Sequence, residues 1–102
     1  MDVKVEGRQV DIGSELQERI EKRFDNLDRR FGPITHARVS IERKAHKNDQ
    51  RAEVTGVVHV RDKTIAVSKE APTVVAAVND ALDTLTHELR SYVEKSRKNM
   101  RV

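Results

Sequence analysis

Apolar and polar positions alternate over the first seven residues. Val3 and Val5 fall on one side, Asp2, Lys4 and Glu6 on the other. A period of two is that of a half-buried strand, so a strand is predicted over residues 1–7. Arg8 to Ile12 leads into a helix that starts at Gly13 or Ser14, where Ser14 and Gln17 have the spacing of a capping box. The period then changes. Leu16, Ile20, Phe24, Leu27 and Phe31 recur at helical intervals as one buried stripe, and Gly32-Pro33 stops it. Alternation returns over Thr35 to Arg43, with Ala37, Val39 and Ile41 facing in and Arg38, Ser40 and Glu42 facing out. It returns again over Arg51 to Val60, which buries Ala52, Val54, Val58 and Val60. Lys44 to Gln50 between them reads as a polar hairpin loop. Arg61-Asp62-Lys63 is a tight turn, Thr64 to Ser68 a fourth strand, and Ala71-Pro72 its break. Thr73 is the N-cap of a second helix. Its stripe is Val74, Val78, Leu82, Leu85, Leu89 and Val93, and it is expected to reach Arg97 and overhang the sheet.

The predicted order is therefore β-α-β-β-β-α. A strand–helix–strand opening favours a parallel crossover, and the short connections after it favour antiparallel hairpins. Each helix has one apolar stripe, so both should lie on one face of a four-stranded mixed sheet, an α+β fold. The other face would carry Arg38, Glu42, Arg51, Glu53, Thr55 and His59, polar enough to meet water or a ligand.

Composition narrows the classes. At 102 residues one domain, residues 1–102, is the natural count. With no Cys there is no disulfide framework, Cys nucleophile or Cys-based zinc site, which fits a reducing cytoplasm. The alternating N-terminus has no apolar core of a signal peptide, and no apolar run approaches a membrane span. A formal charge of +3 leans mildly toward anionic partners.

The charges are sorted rather than mixed. At about 100° per residue, Arg23 and Arg30 lie within about 40° of Arg19 on the first helix. Lys22 and Arg29 flank them, and Glu18, Glu21, Asp25 and Asp28 occupy the far edge. Such a row could track phosphates. The same residues also offer ordinary i,i+4 pairs, Glu15–Arg19 and Glu18–Lys22. Lys44, His46, Lys47 and Arg51 make a second basic element, either a tip that enters a groove or a charged turn that blunts aggregation. The second helix is acidic early, at Asp80, Asp83 and Glu88, and basic late. Arg90, Lys95, Arg97, Lys98 and Arg101 there face Glu94 alone. Dipole complementarity accounts for part of this, and the surplus suggests a tail that binds anions.

Enzyme signals are weak. His36, His46, His59 and His87 are scattered, and neither a zincin motif nor a Gly-rich phosphate loop is present. Neither catalysis nor a cofactor or metal is expected. Only Phe24, Phe31 and Tyr92 are aromatic, and the two Phe belong to the core stripe. Base stacking on aromatics is the usual device for single strands. Any nucleic-acid contact here should instead be to phosphates and shape, as with structured RNA, and strongly salt-dependent.

The chain as a whole resembles the bacterial ribosome hibernation-promoting factors, or ribosome-associated translation inhibitors. The likeness rests on Val10-Asp11-Ile12 running into Glu15-Leu16, and on Ser68 to Leu89. Within the latter, Thr73-Val74-Val75-Ala76-Ala77-Val78-Asn79 is similar to the family's Asp-Met-Tyr-Ala-Ala-Ile-Asp, with Ala77, Val78, Leu82, Leu85 and Leu89 in matching register. The resemblance implies a β-α-β-β-β-α fold and binding in the channel between head and body of the small ribosomal subunit. There the family blocks the mRNA and tRNA decoding sites in starved or stationary cells, with basic helical side chains against ribosomal RNA. One departure stands out. The family often shows Asp-Lys-Leu-x-Arg-Gln-Leu-x-Lys on the second helix, where this chain has Thr84, His87 and Ser91 at the cationic positions and Glu88 for Gln. Arg90, about 60° from His87 on the helix, is placed to compensate.

The expected RNA contacts are therefore Arg19, Lys22, Arg23, Arg29 and Arg30 on the first helix and Lys44, His46, Lys47 and Arg51 on the loop. His87, Arg90, Lys95, Arg97 and Lys98 on the second helix complete the set. The expected partner is the small ribosomal subunit through its RNA, with no membrane and no small-molecule substrate. The chain is expected to be cytoplasmic and monomeric off the ribosome. It looks like a short form, or the N-terminal domain of a long form. Two alternatives stay open: a general double-stranded RNA-binding module, and a protein-interaction domain, such as a transcription modulator, using the open sheet face.

Overall fold

The computed structural model describes residues 1–46 and 49–99, and the side chains of all of these but 46, 49 and 96–99. The elements run β1 (Asp2–Arg8), α1 (Ser14–Phe31), β2 (Ile34–His46), β3 (Asp49–Val60), β4 (Lys63–Ala71) and α2 (Val74–Asn99). The sheet order follows the chain, β1-β2-β3-β4. β1 and β2 are parallel, with α1 as the crossover. The two later pairings are antiparallel. The α+β architecture read from the sequence is the one found.

Period decides which residues are buried. Ala37, Val39 and Ile41 of β2 and Ala52, Val54, Val58 and Val60 of β3 all point to one face. Ile20, Phe24, Leu27 and Phe31 of α1 cover part of that face, and Val78, Leu82, Leu85, Leu89 and Val93 of α2 cover the rest. Gly56 sits where α2 crosses β3. A Cβ there would come within 2.8 Å of Leu85 Cδ1, so a larger residue at this position would require the Leu85 side chain to shift.

Three boundaries differ from the expectations, each for a physical reason. The Lys44–Gln50 loop is largely strand: Lys44 pairs with Arg51, Ala45 with Gln50 and His46 with Asp49. Polar side chains on a hairpin arm remove the alternation signal without removing the backbone ladder. β4 continues three residues past Ser68 to Ala71, pairing Lys69 and Glu70 with Val54 and Glu53. On an edge strand, polar residues are tolerated on both sides and even help. The capping box also does not form. Gly13, in extended conformation, is the N-cap of α1 with no side-chain cap, and the Gln17 amide of the side chain donates to Glu21 instead. Ser14 already lies inside the first turn. By contrast Thr73 does cap α2, its Oγ1 accepting from the Ala76 amide at 3.2 Å.

The end of α1 is tied to the sheet by a single residue. Asp28 accepts the Gly32 amide on its carbonyl at 2.9 Å and the Ile34 amide on Oδ1 at 2.8 Å. This hands the chain from helix to β2 within three residues and fixes where the basic flank of α1 sits relative to the sheet.

Candidate nucleic-acid interface

The core stripe of α1 orients its charges. With Ile20, Phe24, Leu27 and Phe31 buried, the Arg19, Arg23 and Arg30 flank faces α2, because Arg23 reaches across to it. Arg23 Nη2 donates to Asp83 Oδ1 at 2.8 Å and to Thr86 Oγ1 at 3.2 Å. Lys22 and Arg29 sit farther round, exposed on the outer surface of α1. Arg30 lies over its neighbour's ring, with its guanidinium carbon 5.2 Å from the Phe31 centroid. Arg30 and Arg90 line a shallow depression of about 310 Å³ between the two helices, floored by Phe31 and Val93 and rimmed by Glu94.

The i,i+4 pairs offered by the sequence do not close. Among the described residues, Arg19, Lys22 and Arg29 have no carboxylate within 4.0 Å, so neither Glu15–Arg19 nor Glu18–Lys22 is an ion pair. The charges of Arg19, Lys22 and Arg29 are thus held out to solvent. His87 is exposed on α2 near Arg90. Lys95 is also exposed, about 140° around the helix from Arg90, so it belongs to a different side. Arg97 and Lys98 fall in the last turn of α2, and their side chains lie outside the described residues. So does the side chain of His46, at the end of β2. Lys47 and Arg101 lie outside the described residues altogether.

Lys44 and Arg51 are placed elsewhere. They lie on the face of the sheet opposite the helices, where Arg38, Lys44 and Arg51 are matched to carboxylates and, among the described residues, Lys4 and Arg8 of β1 are not. Lys44 Nζ donates to Glu53 Oε2 at 3.2 Å, Arg51 lies 3.9 Å from Glu70, and Arg38 lies 3.5 Å from Glu6. The hydrogen bond from Lys44 to Glu53, reinforced by the same carboxylate's charge, raises the Lys44 pKa above its ordinary 10.5. Farther along that face, Asp2, Lys4, His36, Arg38, Val57 and His59 surround a depression of about 360 Å³. His36 and His59 meet edge to face there at 6.0 Å, and His59 Nδ1 is 2.9 Å from Thr64 Oγ1. Among the described residues no three His, Cys, Asp or Glu side chains are grouped to hold a metal.

Two partners were invisible in the sequence. Asp83 lies 60 residues from Arg23, and no local pattern links them. Tyr92, the one aromatic outside the α1 stripe, is also engaged. Its hydroxyl donates to Asp62 Oδ1 at 3.1 Å and Lys63 Nζ lies 5.7 Å over its ring, so it braces α2 against the β3–β4 turn. That leaves the helical surface with cations and without a free aromatic, a surface suited to phosphates more than to bases.

The family described as sigma 54 modulation protein / S30EA ribosomal protein matches residues 3–97. A ribosome hibernation promotion factor of Deinococcus radiodurans is 29% identical over 90 residues, covering 87% of this chain and 47% of its own length. A ribosome hibernation promoting factor of Azotobacter vinelandii is 28% identical over 95 residues, covering 93% and 85%. This chain thus spans about half the length of the first relative and most of the second. In structure, the N-terminal domain of Protein Y from Thermus thermophilus is similar at a TM-score of 0.75, 24% identity and 90% coverage of this chain, 99% of its own. A ribosomal subunit interface protein from Coxiella burnetii reaches 0.64 at 22% identity, with 96% and 99% coverage. At these identities the two structures speak to the fold alone. No helix of the described residues is long and apolar enough to cross a membrane.

Proposed function

Since the chain belongs to the sigma 54 modulation protein / S30EA ribosomal protein family, we propose that it is a non-enzymatic ribosome-binding factor. It occupies the decoding region of the small subunit, blocks the mRNA and tRNA sites, and holds ribosomes inactive in stressed or stationary cells. The proposed contact surface is the helical side: Arg19, Lys22, Arg29 and Arg30 of α1 with His87 and Arg90 of α2, joined by Arg23. The observation that carries this reading is the difference in charge matching between α1 and the outward face of β2 and β3. On α1, Arg19, Lys22 and Arg29 have no carboxylate within 4.0 Å among the described residues, whereas Arg38, Lys44 and Arg51 on the sheet side each have one. A cation already matched to a carboxylate releases few phosphate counterions on binding, and an unmatched one releases more. Lys44 and Arg51 are therefore left outside the proposed interface. The names of the two relatives support a ribosomal partner.

The test is occupancy of the decoding region. Small subunits are saturated with the protein, and binding of a tRNA with its mRNA is measured. The expected result is mutual exclusion, with tRNA binding falling as protein occupancy rises. Protein and tRNA bound together to one subunit would contradict the location. Equal affinity for subunits and for an arbitrary RNA duplex would favour a general double-stranded RNA-binding module.

A further inference from the structure

Among the described residues, Arg23 is the one cation of α1 with a carboxylate partner. Its Nη2 donates to two acceptors on α2, Asp83 Oδ1 at 2.8 Å and Thr86 Oγ1 at 3.2 Å. The Thr86 hydroxyl hydrogen is itself committed, since that hydroxyl donates to the Leu82 carbonyl at 2.8 Å. Thr86 can therefore only accept from Arg23, and the direction of the bond is fixed. A guanidinium has five N–H donors in a rigid plane. The two acceptors engage Nη2 alone, so Nη1 and Nε keep their hydrogens without a partner among the described residues. The Arg23 side chain is 36% exposed and that of Asp83 is 68% exposed. The guanidinium is thus gripped at Nη2 while the side chain as a whole stays partly exposed.

We propose that Asp83 is a positioning residue that makes Arg23 the selectivity-setting contact of the helical surface, a role that rests on the functional reading above. The argument is one of charge against geometry. Arg19, Lys22 and Arg29 are unmatched charges on long flexible side chains, and they attract any polyanion at a range set by screening. Arg23 with Asp83 is neutral as a pair, so it adds little to long-range attraction. What it keeps is Nη1–H and Nε–H at fixed places, each able to give one charge-assisted hydrogen bond to a phosphate oxygen, since both bidentate edges of the guanidinium include the occupied Nη2. Such a contact forms only where an RNA surface of the right shape brings a phosphate to it, and little ordering cost remains because the side chain is already held. Flexible charge then supplies capture, and the held arginine supplies discrimination between the folded small-subunit surface and arbitrary RNA.

The experiment compares affinities of the full chain for small ribosomal subunits and for an arbitrary RNA duplex at one salt concentration. Asp83→Ala removes a negative charge and the main acceptor together. Duplex binding is expected to strengthen while subunit binding does not, so the ratio of the two affinities falls about tenfold. Asp83→Asn removes the same charge but keeps an oxygen that accepts from Nη2, and it should recover most of the ratio. Both variants strengthening both affinities alike, with the ratio unchanged, would make Asp83 a mere counter-charge and overturn the proposal. A second readout is independent of ribosomes: side-chain ¹⁵N relaxation of the arginine Nε–H groups. Arg23 is expected to be ordered in the wild-type protein, Arg19 and Arg29 mobile, and Arg23 mobile in Asp83→Ala. An Arg23 as mobile as Arg19 in the wild type overturns the clamp itself. Wild-type protein that binds both RNAs equally contradicts the functional reading and takes the selectivity role with it, an outcome seen before any variant is made.

Discussion

At the scale of single residues, the contrast is between charges that are matched and charges that are left open. Lys44 illustrates the first kind. Its pKa is raised because the charged amine donates to Glu53. A lysine whose pKa is higher in the folded chain than in the unfolded one stabilises the fold at all pH values below the ordinary 10.5. That contribution is lost as pH rises through the raised value. The stability difference between wild type and Lys44→Met should therefore be flat from pH 7 to about pH 10 and shrink above it. Denaturant unfolding across that range checks this, and a difference that shrinks between pH 7 and pH 9 would contradict it. Arg19, Lys22 and Arg29 illustrate the second kind. Their angular sorting on the helix was legible from the sequence, because 100° per residue and one apolar stripe settle the matter. What was not legible is that the local Glu15–Arg19 and Glu18–Lys22 pairs stay open, and that among the described residues Arg23 is the α1 cation that is matched, by a carboxylate 60 residues away. Local spacing shows which pairs are possible, whereas the tertiary fold selects among them.

At the scale of elements, the sheet and two helices follow from period, and the departures fall where period carries no information. Leu82, Leu85 and Leu89 announced α2 because a helix buried on one side must repeat its apolar residues every three or four positions. The arm at Lys44–Gln50 gave no such signal, since alternation marks a buried face and the side chains described there carry little of one. Ser14 looked like a cap because capping boxes are read by residue type, but Gly13 took the position by adopting the extended conformation. Gly56 was silent in the sequence and matters in the fold. Placed 2.8 Å from Leu85 Cδ1 by an added Cβ, Gly56→Ala should destabilise by about 1 to 3 kcal/mol through overpacking. Leu85→Ala should cost about 2 to 5 kcal/mol by leaving a cavity. The two changes share the same space, so adding Gly56→Ala to Leu85→Ala should cost almost nothing more. A double-mutant cycle by denaturant unfolding measures this coupling. Strict additivity would show that α2 does not rest on β3 at this point.

At the scale of the whole molecule, the fold makes a flat plate of 55 × 25 × 17 Å with two unlike faces. One is an open sheet on which Arg38, Lys44 and Arg51 of β2 and β3 are each met by a glutamate, while among the described residues Lys4 and Arg8 of β1 are not. The other is a pair of helices with cations on α1 held out to solvent and a shallow groove between Arg30 and Arg90. The only aromatic not consumed by the α1 stripe is spent bracing α2. The central claim is that RNA is met by the helical face and not by the sheet. Its most direct test is the salt dependence of co-sedimentation with small ribosomal subunits for two triple variants that remove equal charge. Arg19→Gln, Arg29→Gln and Arg30→Gln together should flatten the slope of log affinity against log salt by about three, roughly one unit per lost phosphate contact. Arg38→Gln, Lys44→Gln and Arg51→Gln together should leave the slope near that of the wild type. A sheet-face triple that flattens the slope as much as the helix-face triple, or a helix-face triple that keeps the full slope, would contradict the account.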